Sequence, residues 1–69
     1  MEAVLAILRK EVKAQGINQR DLGARIYRSQ TWVSHHLDGS YVLSLDDFLR
    51  LCDGLTLSPV ATLSRALNK

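Results

Sequence analysis

Sixty-nine residues provide one small core, and 46% hydrophobic side chains with one proline and four glycines suit a compact helical protein better than a disordered tail. The formal net charge is only +2, but residues 1–37 hold six Lys/Arg against three acids while residues 38–69 hold three against four, so a weak basic excess lies in the N-terminal half. The lone cysteine, Cys52, cannot close an internal disulfide, and the apolar run Ala3 to Leu8 is too short to span a membrane and wrongly flanked, by Arg9 and Lys10, for a signal peptide.

The first element spans Glu2 to Gln15, where Leu5, Leu8 and Val12 fall at i, i+3 and i+7, Val4 and Ile7 widen the stripe and Gly16 supplies a C-cap. Asn18 is an N-cap and Asp21 suits the positive end of the next helix, which runs from Gln19 to Ile26 with Leu22 and Ile26 inward. Gly23, inside that helix, is expected where a second helix crosses closely, offsetting roughly 1 kcal/mol of lost helix propensity. Tyr27, Arg28 and Ser29 break the period; Ser29 then caps a third helix that starts at Gln30, turns Val33 and Leu37 inward and ends at Gly39.

Ser44 caps a fourth helix whose inner face is expected to be Leu45, Phe48, Leu49 and Cys52, with Gly54 breaking it. Ser58 and Pro59 open a fifth, striped by Val60, Leu63 and Leu67. No stretch alternates convincingly with period two, so the expected fold class is all-α: five helices and no strand, in a single domain over residues 1–69.

Chemistry narrows the function. There is no glycine-rich phosphate loop and no cluster of metal ligands, and Asp46 and Asp47 are adjacent rather than convergent, so no enzyme, cofactor, metal or small-molecule ligand is expected. His35 and His36 sit about 100° apart on a helix and cannot face one ion. Cys52, on an apolar face, reads as a small buried hydrophobe.

The two-helix unit Gln19 to Asp38 is more specific. Its second helix can present Gln30, Thr31, Ser34 and His35 outward while Val33 and Leu37 anchor it. Glutamine pairs bidentately with adenine, threonine offers a hydroxyl and a methyl, and histidine can donate to guanine; each good pair discriminates by about 1–3 kcal/mol. Arg28 and Arg20 are the best-placed cations for phosphate.

The run Asn18-Gln19-Arg20-Asp21-Leu22-Gly23 through Ile26, followed by Ser29-Gln30-Thr31 through Val33-Ser34 and Gly39, resembles the phage repressor and Cro-like helix-turn-helix family. Helix four and the Leu55-Thr56-Leu57-Ser58-Pro59 run resemble that family's later helices, so nearly the whole chain is covered. The resemblance implies a five-helix lambda-repressor-like domain with helices two and three as the helix-turn-helix. It implies a sequence-specific regulator, repressor or Cro-like, that reads double-stranded DNA in a bacterial cytoplasm or phage-infected cell. By the same resemblance Gln19 contacts a phosphate, and Gln30, Thr31 and His35 hold the base-reading positions, with Ser34 secondary. Asn18 and Ser29 at the helix starts, and Ser40 and Tyr41 in the following loop, complete the expected phosphate contacts.

The departures from the family carry expectations of their own. Tyr27 stands where the family usually has glycine, so the turn should be mildly strained. Val12 and Leu37 replace a frequent arginine–glutamate pair and are expected to touch. His36 fills a commonly apolar or aromatic position and is expected half-buried with one hydrogen-bonded nitrogen, and Trp32 is expected to cover the core. Asp38 would repel a DNA strand unless it caps or pairs locally. The scarcity of cations favours a homodimer, with Val60, Leu63 and Leu67 either forming its surface or completing the monomer core. Two readings stay open beside this one: the DNA-binding part of a longer regulator or an antitoxin, and a protein-interaction module that kept the fold but lost DNA contact.

Overall fold

Helix starts in this chain are set by side-chain caps. A computed structural model describes residues 2–68 and contains α1 (Glu2–Gln15), α2 (Gln19–Arg25), α3 (Gln30–Asp38), α4 (Leu45–Leu55) and α5 (Pro59–Leu67), with no strand among the described residues. Asn18 Oδ1 accepts from the N–H of Asp21 at 2.8 Å, Ser29 Oγ from Trp32 at 3.0 Å, Ser44 Oγ from Asp47 at 3.1 Å and Ser58 Oγ from Ala61 at 3.2 Å. Each such cap contributes about 1 kcal/mol and fixes where its helix begins. The all-α expectation and the four capped starts agree with the structure; α2 ends one residue before the expected Ile26, which instead occupies the cap.

One core fills the space between the helices. Leu8, Leu22, Val33, Leu51, Cys52 and Leu55 are wholly enclosed, and Val4, Leu5, Ile26, Leu37, Leu43 and Phe48 surround them. α2 and α3 pack on each other, α1 and α4 close over them, and α5 lies against α1 and α4. Val12 and Trp32 are half-buried and pack on the same core. α1 is further joined to α3 by Arg9, whose Nη1 donates to the Leu37 carbonyl while Nη2 pairs with Glu2.

Four expectations are corrected. The inner face of α4 is Phe48, Leu51, Cys52 and Leu55; Leu45 and Leu49 are exposed, because the face that meets the core is rotated from the one with the first apolar residue. Gly54 does not break α4. It is buried inside the helix, where an added Cβ would lie 2.7 Å from Ile26 Cγ2 and 2.9 Å from Leu22 Cδ1, so Gly54 is the point at which α4 crosses α2. Gly23, the expected crossing point, makes room for backbone instead: a Cβ there would be 2.5 Å from the carbonyl oxygen of Arg28. Finally, the Val60, Leu63 and Leu67 stripe does not complete the monomer core; all three are exposed, Leu67 at 83%. The residue α5 buries is Thr62, whose hydroxyl donates to the Ser58 carbonyl at 2.9 Å and so enters the interior satisfied.

α4 ends without glycine. Thr56 takes φ +58° and lets the N–H of Leu57 reach the carbonyl of Cys52 at 2.8 Å, closing the helix in a left-handed cap. Its last carbonyls are met from outside: Gln15 Nε2 donates to Leu55 at 2.7 Å and Arg25 Nη1 to Gly54 at 3.1 Å.

Candidate nucleic-acid interface

The turn between α2 and α3 has the same design. The N–H groups of Ile26 and Arg28 both donate to the Gly23 carbonyl, at 3.1 and 2.9 Å, and Tyr27 between them adopts φ +59° with its ring 88% exposed. A non-glycine residue at positive φ is strained, as the replacement of the family's usual glycine foretold. The turn folds so tightly onto α2 that only glycine fits at position 23.

This turn sets α3 with Val33, His36 and Leu37 buried and Gln30 and Thr31 exposed. Ser34 and His35 are half-buried at the edge of the same face. The His35 Nδ1 is enclosed, 3.9 Å from Asp38 Oδ2, and its ring lies 4.8 Å from that of Tyr41, so only Nε2 is free to meet a partner. Hydrogen bonds from the Ser40 hydroxyl and N–H, aided by His35 and Arg9, hold the Asp38 carboxyl below the usual carboxylate value. Asp38 is thus engaged locally, its Oδ1 accepting from Ser40 at 2.7 Å.

Around this face stand the expected phosphate contacts. Arg20 is exposed and has no ion-pair partner among the described residues. Arg28 lies 5.5 Å over the Trp32 ring and donates to the Tyr27 carbonyl at 3.1 Å, which fixes it beside the turn. Gln19 is half-buried at the start of α2. Asn18 and Ser29 commit their side-chain oxygens to capping, leaving their backbone as what they can offer an anion. Ser40 and Tyr41 are exposed in the loop after α3, the N–H of Ser40 already bound to Asp38 and that of Tyr41 to the His35 carbonyl at 3.3 Å.

His36 has its one hydrogen-bonded nitrogen, as expected, but is buried more deeply than expected. It is 6% exposed, and both ring nitrogens face partners: Nδ1 the Trp32 carbonyl at 2.7 Å and Nε2 Asp47 Oδ2 at 3.3 Å. The Asp47 partner was not read from the sequence because it depends on how α4 docks; the available signal was an acid three residues after the Ser44 cap.

Comparison with known proteins places this arrangement. A family model described as a helix-turn-helix domain matches residues 3–65. A solved structure, an XRE-family like protein from Pseudomonas syringae pv. tomato str. DC3000, is 34% identical and superposes with a TM-score of 0.89, covering 94% of this chain and 79% of that one. The chain belongs to the helix-turn-helix DNA-binding family of Cro/C1 type. Within this helix-turn-helix domain α2 and α3 are the two named helices, and the protein is, in general terms, a DNA-binding regulator. No curated protein matches. Among the described residues no group of side chains could hold a metal ion, and no helix is long and apolar enough to cross a membrane.

Proposed function

We propose that the protein is a sequence-specific transcriptional regulator, a repressor or Cro-like protein of a bacterial cytoplasm or phage-infected cell, that lays α3 in the major groove of an operator. Gln30, Thr31, Ser34 and His35 read base edges, while Asn18, Gln19, Arg20, Arg28, Ser29, Ser40 and Tyr41 hold the flanking phosphates. The observation that carries this reading is the open outer flank of α3: Gln30 and Thr31 are exposed while Val33 and Leu37 behind them are buried, so among the described residues nothing covers those two side chains. A homodimer joined through the exposed Val60, Leu63 and Leu67 would set two such helices about 34 Å apart, in successive major grooves.

Selection of bound sequences from a random duplex pool tests the proposal. The wild type should return a defined motif, and Gln30→Ala and Thr31→Ala should each relax preference at different positions of it. Identical motifs from all three proteins would refute the assignment of the reading residues.

A further inference from the structure

His36 is a buried titratable side chain that neither core packing nor DNA contact explains. Its two nitrogens face the Trp32 carbonyl, one turn earlier in α3, and the Asp47 carboxylate, in the first turn of α4. A carbonyl oxygen can only accept, so Nδ1 carries the proton and donates to Trp32, while Nε2 lies at ion-pair distance from the Asp47 carboxyl. The carboxylate stands at the position from which a capping-box acid reaches back to its cap residue, here Ser44, but it faces His36 instead.

The surroundings extend the contact. The Trp32 indole stacks on the imidazole, with centroids 3.9 Å apart and planes at 25°, and Arg28 lies over the same indole. Tyr41 presents its ring edge-on at 5.4 Å from the loop, and His35 adjoins on α3. No other ion pair reaches the ring among the described residues. Arg28, Trp32, His36 and Asp47 thus form one chain of contacts from the turn before α3 to the start of α4.

We propose that His36 is a positioning residue for base reading: held between the Trp32 carbonyl and Asp47 it ties α3 to α4, and its stack on Trp32 carries that constraint to Arg28. The inference rests on the DNA-reading function above and deepens it. Base edges demand placement to within about 0.5 Å, whereas phosphates tolerate more, so loosening α3 costs discrimination before it costs attraction.

Trp32 is the sole tryptophan and its indole stacks on the His36 imidazole, so its fluorescence reports on His36 without DNA. His36→Leu, which keeps the position filled but removes the stacked imidazole, should change the Trp32 emission intensity in the folded protein, while His35→Ala, which leaves the stack in place, should keep the wild-type emission. In binding, His36→Leu and Asp47→Asn should each lower the ratio of specific to random-duplex affinity about tenfold, with random-duplex affinity and salt slope unchanged and the double variant no worse than either single one. Asp46→Asn, a change of the same kind at the same helix start, should retain the wild-type ratio. Wild-type emission in folded His36→Leu, or wild-type selectivity in folded Asp47→Asn, would overturn the inference. Failure of the wild type to bind any duplex would instead remove the DNA-reading function, and the emission measurement would still decide whether the ring is held as described.

Discussion

Two non-glycine residues carry backbone strain where helices end. Tyr27 and Thr56 both sit at positive φ, where an L side chain costs roughly 1–2 kcal/mol, and Thr56 is β-branched, the least suited kind. Thr56→Gly keeps the Leu57 to Cys52 hydrogen bond and should raise stability by about 1 kcal/mol, seen as a melting temperature higher by roughly 4–8 °C. No gain would mean that the threonine is relaxed by contacts glycine cannot make. Cys52 illustrates a second property of single residues. Burial pushes its thiol above the ordinary 9.0, opposed in part by the Thr62 hydroxyl. A raised folded value means that the neutral thiol's share of stability is complete below about pH 9 and is lost as the pH climbs through the folded value. At neutral pH a thiol reagent should therefore label Cys52 only as fast as the domain opens, and at once in denaturant; rapid labelling of the native protein would contradict its enclosure.

Between helices, the two internal glycines separate two kinds of close approach. Gly54→Ala would press a methyl onto the ends of Ile26 and Leu22 side chains, which can shift, so the cost should be about 1–3 kcal/mol with DNA binding kept when folded. Gly23→Ala would press onto the carbonyl of Arg28 in the turn itself, so it should cost as much or more and weaken DNA binding even in the fraction that remains folded; chemical denaturation and duplex titration of both variants distinguish the two. The sequence could place the helices but not these crossings. Asn18, Ser29, Ser44 and Ser58 act within three residues of themselves, so their caps are local and readable. Which face of α4 turns inward depends on where α2 lies, and Leu45 and Leu49 fit a helical stripe as well as Leu51 and Leu55 do. The outward face of α3 was readable because Val33 and Leu37 anchor it locally, whereas the Asp47 partner of His36 joins two helices and left only a faint trace in the chain.

Across the molecule, charge and shape make different demands. With so few cations near α3, each should count: Arg28→Ala should weaken specific and random-duplex binding alike and flatten the plot of log K against log salt by roughly one unit per lost phosphate contact, and an unchanged slope would free Arg28 from that role. The exposed stripe on α5 lies outside the core, so replacing Val60, Leu63 and Leu67 together with serine should leave monomer stability nearly intact while abolishing any concentration-dependent dimer in sedimentation, together with cooperative operator binding. The crossing at Gly54 reaches further still. α2 leans its Leu22 and Ile26 on a helix that begins some twenty residues later in the chain, and Arg25 is tied to the same spot. With only seven and nine residues, α2 and α3 are too short to persist alone. The DNA-reading pair is therefore not a portable cassette: transplanted to another scaffold without α4 it would lose its shape, and any redesign of its specificity has to inherit the whole bundle.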